Sequence, residues 1–170
     1  TAEDMTHYLV SVELGHDRVD ENDDDRCDIC DEYDPAVLVT EENYGDLGVD
    51  ESYIGYYAIA NRSQMYWFAN LVNGGNTSVN GVLLADIDLA NRAWVPMGTQ
   101  NEAFAPNVKQ PFQGTFDGRG HVIRNLNVHV TDGREAGLFG RIQNATLKNF
   151  GVIDATVVSD PVNGKSYRAG

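Results

Sequence analysis

The six-residue phrase Ile123-Arg124-Asn125-Leu126-Asn127-Val128 returns 24 positions later as Leu147-Lys148-Asn149-Phe150-Gly151-Val152. Both copies run aliphatic, basic, Asn, large apolar, small or polar, Val. A self-similar period in the low twenties is about the length of one coil of a β-solenoid. The echo therefore predicts stacked turns, with Asn125 directly above Asn149 as a structural ladder of amide side chains bonded between coils.

The rest of the chain reads consistently with short strands. From about residue 80 onward, apolar runs of three to eight residues alternate with Gly and Asn, as in Val82-Leu83-Leu84-Ala85-Asp86-Ile87-Asp88-Leu89 and in Gln113-Gly114-Thr115-Phe116 before the turn Asp117-Gly118-Arg119-Gly120. Upstream, Tyr56-Tyr57-Ala58-Ile59-Ala60 predicts a strand that leads into a helix. Met65, Phe68, Ala69 and Val72 recur at helical spacing over residues 63–73, Asn61 or Ser63 can cap the first turn, and Gly74-Gly75 ends it. The apolar width of that helix predicts a cap over one end of the stacked core. Residues 99–110 read as a loop, residues 41–55 as an irregular acidic linker, and residues 7–14 as a strand with Tyr8, Val10, Val12 and Leu14 on one face.

Charge divides the chain in two. Residues 1–52 hold 18 Asp and Glu against Arg18 and Arg26, whereas the remainder holds 8 acids and 10 bases; the total is −14. Such an acidic head repels nucleic acid and anionic lipid and attracts cations. No run of apolar residues is long enough to insert into a membrane. The organisation expected is an acidic segment, 1–52, followed by a module over 53–170. The first residue, Thr1, carries the expectation of a processed product or an excised piece.

Residues 56–170 resemble the repeat modules of bacterial surface proteins that carry the GLUG motif. The resemblance rests on Ala60-Asn61-Arg62-Ser63-Gln64-Met65-Tyr66-Trp67-Phe68-Ala69, on Ala85-Asp86-Ile87-Asp88-Leu89 followed by Trp94-Val95-Pro96-Met97-Gly98, and on Phe112-Gln113-Gly114-Thr115-Phe116-Asp117-Gly118-Arg119-Gly120-His121-Val122-Ile123. It continues through Asn125-Leu126 and Ala136-Gly137-Leu138-Phe139-Gly140. This resemblance implies an all-β fold, a right-handed parallel β-helix, on a secreted or cell-surface protein with an adhesive or scaffolding role. The Ala136-Gly137 block begins again at Ala169-Gly170, which under the same resemblance implies further coils beyond residue 170.

The acidic head contains one spacing with chemical meaning. Counted from Asp20, oxygen side chains stand at positions 1, 3, 5, 9 and 12 (Asp20, Asn22, Asp24, Asp28, Asp31), and Arg26 at position 7 offers its backbone carbonyl. That is the ligand spacing of a calcium loop, since a hard cation takes six to eight oxygens. Asp25 stands where the EF-hand pattern has Gly. The loop resembles those of thrombospondin type-3 repeats and dockerins. Two alternatives stay open: Cys27 and Cys30 with His16 and His7 as a zinc site, and a solvated loop with no ion. In an oxidising compartment the Cys27–Cys30 pair reads as a disulfide.

No hydrolase, metalloprotease or phosphate-loop motif occurs. Asp86, Asp88, Asp117, His121 and Arg124 form a lyase-like set of acids and bases, but Asp117-Gly118 is a turn signal and Asp86 and Asp88 alternate with Ile87 and Leu89 as surface residues. The expectation is a non-enzymatic, calcium-stabilised, extracellular module that binds other surface proteins, glycans or copies of itself. Two alternatives follow it: a self-assembling subunit joined by strand addition through residues 7–14, and a carbohydrate-active enzyme.

Overall fold

The structure, a computed structural model, describes residue 26 and residues 32–99, 110–131 and 135–160. Ten strands, one helix and one 3-10 turn make up these residues. In chain order they are β1 (Val37–Leu38), the 3-10 turn Glu51–Tyr53, β2 (Tyr56–Ile59), α1 (Arg62–Asn73), β3 (Asn80–Leu83), β4 (Ile87–Asp88), β5 (Thr115–Asp117), β6 (Val122–Arg124), β7 (Asn127–Val130), β8 (Thr146–Lys148), β9 (Gly151–Ile153) and β10 (Thr156–Ser159). They form three sheets, of order β1-β2-β3-β5-β8, β4-β6-β9 and β10-β7. All pairings are parallel except β1 with β2.

This arrangement corrects the all-β, right-handed parallel β-helix expectation. The domain is mixed α/β, with a 12-residue helix in its core and one sheet of mixed strand direction, and the described residues form no closed barrel or solenoid. The 24-residue echo is not the pairing interval. Asn149 Nδ2 donates to Asp117, 32 residues earlier, and Asn125 Nδ2 donates to Asp88, 37 residues earlier. The Asn125–Asn149 ladder is corrected with it: the two residues follow strands of different sheets, β6 and β8. The shared phrase encodes a local device. In each copy a strand ends and its Asn takes the left-handed conformation, at φ 55° and 58°, which Asn tolerates better than most residues.

Helix α1 begins one residue before the expected start. Asn61 Oδ1 accepts the Gln64 amide at 2.9 Å, and Gln64 Oε1 accepts the Ala60 amide at 2.8 Å, so a free donor of the first turn and the amide just before the cap are both satisfied. Gly75, at φ +112°, closes the other end and donates to the Val72 carbonyl. Met65, Phe68 and Val72 are fully buried against Ile59, Leu83 and Ile87. Gly81 lets β3 meet the helix, because a Cβ there would sit 2.9 Å from the Phe68 ring. Asn73, buried, ties the helix to the following segment: its Nδ2 donates to Pro96 O at 3.1 Å and its Oδ1 accepts the Gly98 amide at 2.9 Å.

A chain of aromatic contacts leads away from the helix. Phe68 meets Phe112 and Phe116, and Phe116 meets Phe139 and Phe150 with centroids 5.6 and 5.4 Å apart. On the outer face of the large sheet lies a second, smaller core. Residues 41–55, expected as a linker, fold back there with the preceding residues 39–40 as a turn-rich cover, with Val39 and Val49 buried against Ala58 and Val82. Tyr44, Leu47 and Tyr53 flank that contact.

Candidate functional site

Among the described residues, each sheet ends, at the side away from α1, on a strand with no further strand beside it: β8, β9 and β10. The preceding strand shows what covering does. Phe116, Ile123 and Val128 point inward from β5, β6 and β7 and are fully buried. Their register partners on the last strands are Leu147, Val152 and Val157. Val152 is 39% exposed, although it occupies the same inward position as Ile123. Phe112 is likewise buried, whereas Ile142, its partner across an isolated parallel bridge, is 54% exposed.

Between these strands opens an apolar groove of about 330 Å³ lined by Leu138, Phe139, Ile142, Leu147, Phe150 and Val152. Its floor is the far end of the aromatic chain, through Phe139 and Phe150. Ile153 and Val158 add exposed apolar surface on the same terminal strands. Edge strands are ordinarily protected by inward charges, proline or bulges. Of the residues in β8, β9 and β10 only Lys148 carries a charge, and its Nζ lies 3.1 Å from Asp117 Oδ2. Among the described residues, this end offers the outer backbone donors and acceptors of β8 and β9 beside a partly exposed apolar interior. It suits the addition of an extended segment with apolar side chains.

The acids and bases read as a lyase-like set divide between two places. Asp86 Oδ2 bonds Arg124 Nη2 at 2.7 Å, and its Oδ1 accepts the Val122 amide at 3.0 Å and lies 3.3 Å from His121 Nδ1. The Val122 amide first, then Arg124, holds the Asp86 carboxyl below its ordinary range. Asp88 is lowered in the same way by the Asn125 amide and the Ala90 N–H. Both are exposed, satisfied anions, and neither is tuned toward proton donation.

Asp117 belongs elsewhere. Only 1% exposed, it accepts from Tyr53 OH at 2.8 Å, Arg119 N at 3.0 Å and Asn149 Nδ2 at 3.1 Å, and pairs with Lys148. Burial alone would raise its pKa; the four donors outweigh burial and hold it at about 2, led by the Arg119 amide and the Tyr53 hydroxyl. Burial and the same contact push Tyr53 up to about 12. Arg119 also donates to Gly48 O at 2.8 Å and lies over the Tyr53 ring. Asp117 is thus a clasp joining the 39–55 cover to β5 and to the terminal strand β8.

Of the calcium-loop residues only Arg26 is described. It forms an isolated antiparallel bridge with Tyr33, and its guanidinium lies 5.0 Å from the Tyr33 ring centroid. Asp20, Asn22, Asp24, Asp28, Asp31, Cys27, Cys30, His16 and residues 7–14 lie outside the described residues. Among the described residues no group of three or more His, Cys, Asp or Glu is placed to hold a metal, and no helix is long and apolar enough to cross a membrane.

Sequence reasoning did not find the open groove or the clasp. The groove residues read as ordinary inward positions, and no sequence signal says which inward positions lack a cover. Tyr53 and Asp117 are 64 residues apart, with nothing local to connect them. No protein-family model, curated protein or solved structure matches the chain.

Proposed function

We propose that this chain is a non-catalytic binding and scaffolding module of the cell exterior, and that its contact surface is the open apolar end formed by β8, β9 and β10. The observation that carries this reading is the contrast between fully buried Ile123 and exposed Val152 at the same inward position of adjacent strands. Among the described residues nothing lies over this end of a core built of large apolar side chains, and a contact there removes apolar surface from water while completing strand pairing. The acidic loop Asp20, Asn22, Asp24, Arg26, Asp28 and Asp31 carries calcium in this reading, supported by its ligand spacing and by the mutual repulsion of its acids without a cation. Zinc at Cys27, Cys30 and His16 is the competing occupant of that segment.

The test compares the wild-type chain with Val152→Asp in solution mass and in binding of a hydrophobic fluorescent dye. If the open end is a contact surface, the wild type either associates through it or binds dye at it, and the variant does neither. A wild type that stays monomeric and binds no dye contradicts the reading.

A further inference from the structure

Resting on that reading, we propose that the occupant of the open end is residues 7–14 of a second copy of this chain, added as a strand in a head-to-tail assembly. The acceptor is specified by the structure: an open apolar groove bordered by β8 and β9, whose outer edges have no strand partner among the described residues, and lined by Phe139, Phe150 and Val152. The donor is specified by the sequence. His7-Tyr8-Leu9-Val10-Ser11-Val12-Glu13-Leu14 presents Tyr8, Val10, Val12 and Leu14 on one face, the period-2 pattern of a strand with one buried side. Twenty-five residues precede Arg26, enough chain for a linker and this strand.

Position and charge decide between a neighbour and the chain's own groove. Arg26 bridges Tyr33, whose ring stacks on Tyr66 of α1 with centroids 5.1 Å apart. Arg26 is therefore tied to the α1 side of the fold, and β8 is the far edge of the five-stranded sheet from β1. Crossing the five-stranded sheet takes about 19 Å at the usual strand spacing, and residues 15–25 reach at most about 37 Å. Length thus permits both routes. Self-closure, however, would keep Asp17, Asp20, Glu21, Asp23, Asp24 and Asp25 along the side of a fold whose cover already carries Glu41, Glu42, Asp46, Asp50 and Glu51. Donation to a neighbour instead lets residues 1–25, with 9 acids against the single base Arg18, extend away from that acidic cover. Donor and acceptor are different parts of the chain, so the contact is heterologous and propagates from copy to copy.

The experiment uses the full chain and sedimentation velocity. The donor is blocked by V10D/V12D; the acceptor is blocked by V152D, with I142D as a second groove variant and circular dichroism confirming that each remains folded. Wild type should form a ladder of oligomers that lengthens with concentration, and each blocked variant should sediment as a monomer. An equimolar mixture of V10D/V12D and V152D should yield a two-chain species and nothing larger, because one intact donor meets one intact acceptor. If V10D/V12D assembles like wild type while V152D does not, residues 7–14 are the wrong occupant, although the open end remains the contact surface. Assembly unaffected by V152D and I142D removes both. A monomeric wild type with residues 7–14 protected from hydrogen exchange shows self-closure and overturns the proposal.

Discussion

Replacing Asp117 by Asn keeps the shape of the clasp and removes its charge. Burial works against the wild-type carboxylate, which is 1% exposed, yet four donors hold it at about 2, against an ordinary value of 3.8. A tenfold change in acidity corresponds to about 1.4 kcal/mol, so the ionised clasp contributes roughly 2 kcal/mol at neutral pH. Asn also turns an N–H₂ toward donors on Asn149 or Lys148, which adds the cost of an unsatisfied contact, about 1 kcal/mol. The expected loss for D117N is therefore about 2–3 kcal/mol at pH 7, read from urea unfolding by the fluorescence of Trp67 and Trp94. A depressed carboxyl pKa stabilises above the unfolded value and loses that contribution as pH falls through the folded one. Between about pH 5 and pH 2 the wild type should approach the variant, and near pH 2 the ionic part of the difference should be nearly gone. A difference that stays constant from pH 7 to pH 2 would refute the assignment of the clasp to an ionised Asp117.

Further outcomes follow from neighbouring contacts. Tyr53→Phe removes the hydroxyl donor to Asp117 and should lower stability by about 1 kcal/mol. It should also delete a phenol that ionises near pH 12 in an alkaline absorbance titration; the raised Tyr53 value means that its stabilisation holds below about pH 10 and is lost as pH climbs through 12. Gly114→Ala drives a Cβ into the Val79 carbonyl and should cost more than about 3 kcal/mol in thermal or urea unfolding, whereas Gly45→Ala, with open space and no left-handed φ, should change little. Under the calcium reading, calorimetric titration of chelator-treated protein should show calcium binding that Asp24→Ala weakens at least tenfold. Binding of zinc alone, lost on Cys27→Ser, would assign the segment to the sulfur ligands instead.

Local chemistry was more legible than winding. Helix α1 could be read to within a residue because Asn61, the apolar positions Met65, Phe68, Ala69 and Val72, and Gly74-Gly75 all state the same thing within one stretch of chain. The Ile123–Val128 echo misled because a strand end followed by a left-handed Asn is a corner device, and corners of different sheets reuse it. Asn125 and Asn149 thus share chemistry and conformation without sharing a partner. The cover was hidden by composition: Glu41, Glu42, Asp46 and Asp50 mark solvent, while Val39, Val49 and Tyr53, scattered among them, do the packing. The open end is a property of what is missing above Val152, and inward residues carry the same apolar signature whether or not something lies over them.

Hydrogen–deuterium exchange of the β8–β10 amides as a function of protein concentration tests the central claim most directly, since it reads occupancy of the open end strand by strand. The amides of Leu147 and Val152, which strand alternation turns away from β5 and β6, should exchange rapidly in dilute protein and become protected as concentration rises, while those of β3 and β5 and the inward-bonded Thr146 and Gly151 amides stay protected throughout. Exchange at the terminal strands that is equally slow at every concentration would show that the end is already closed within one chain and would contradict an open contact surface.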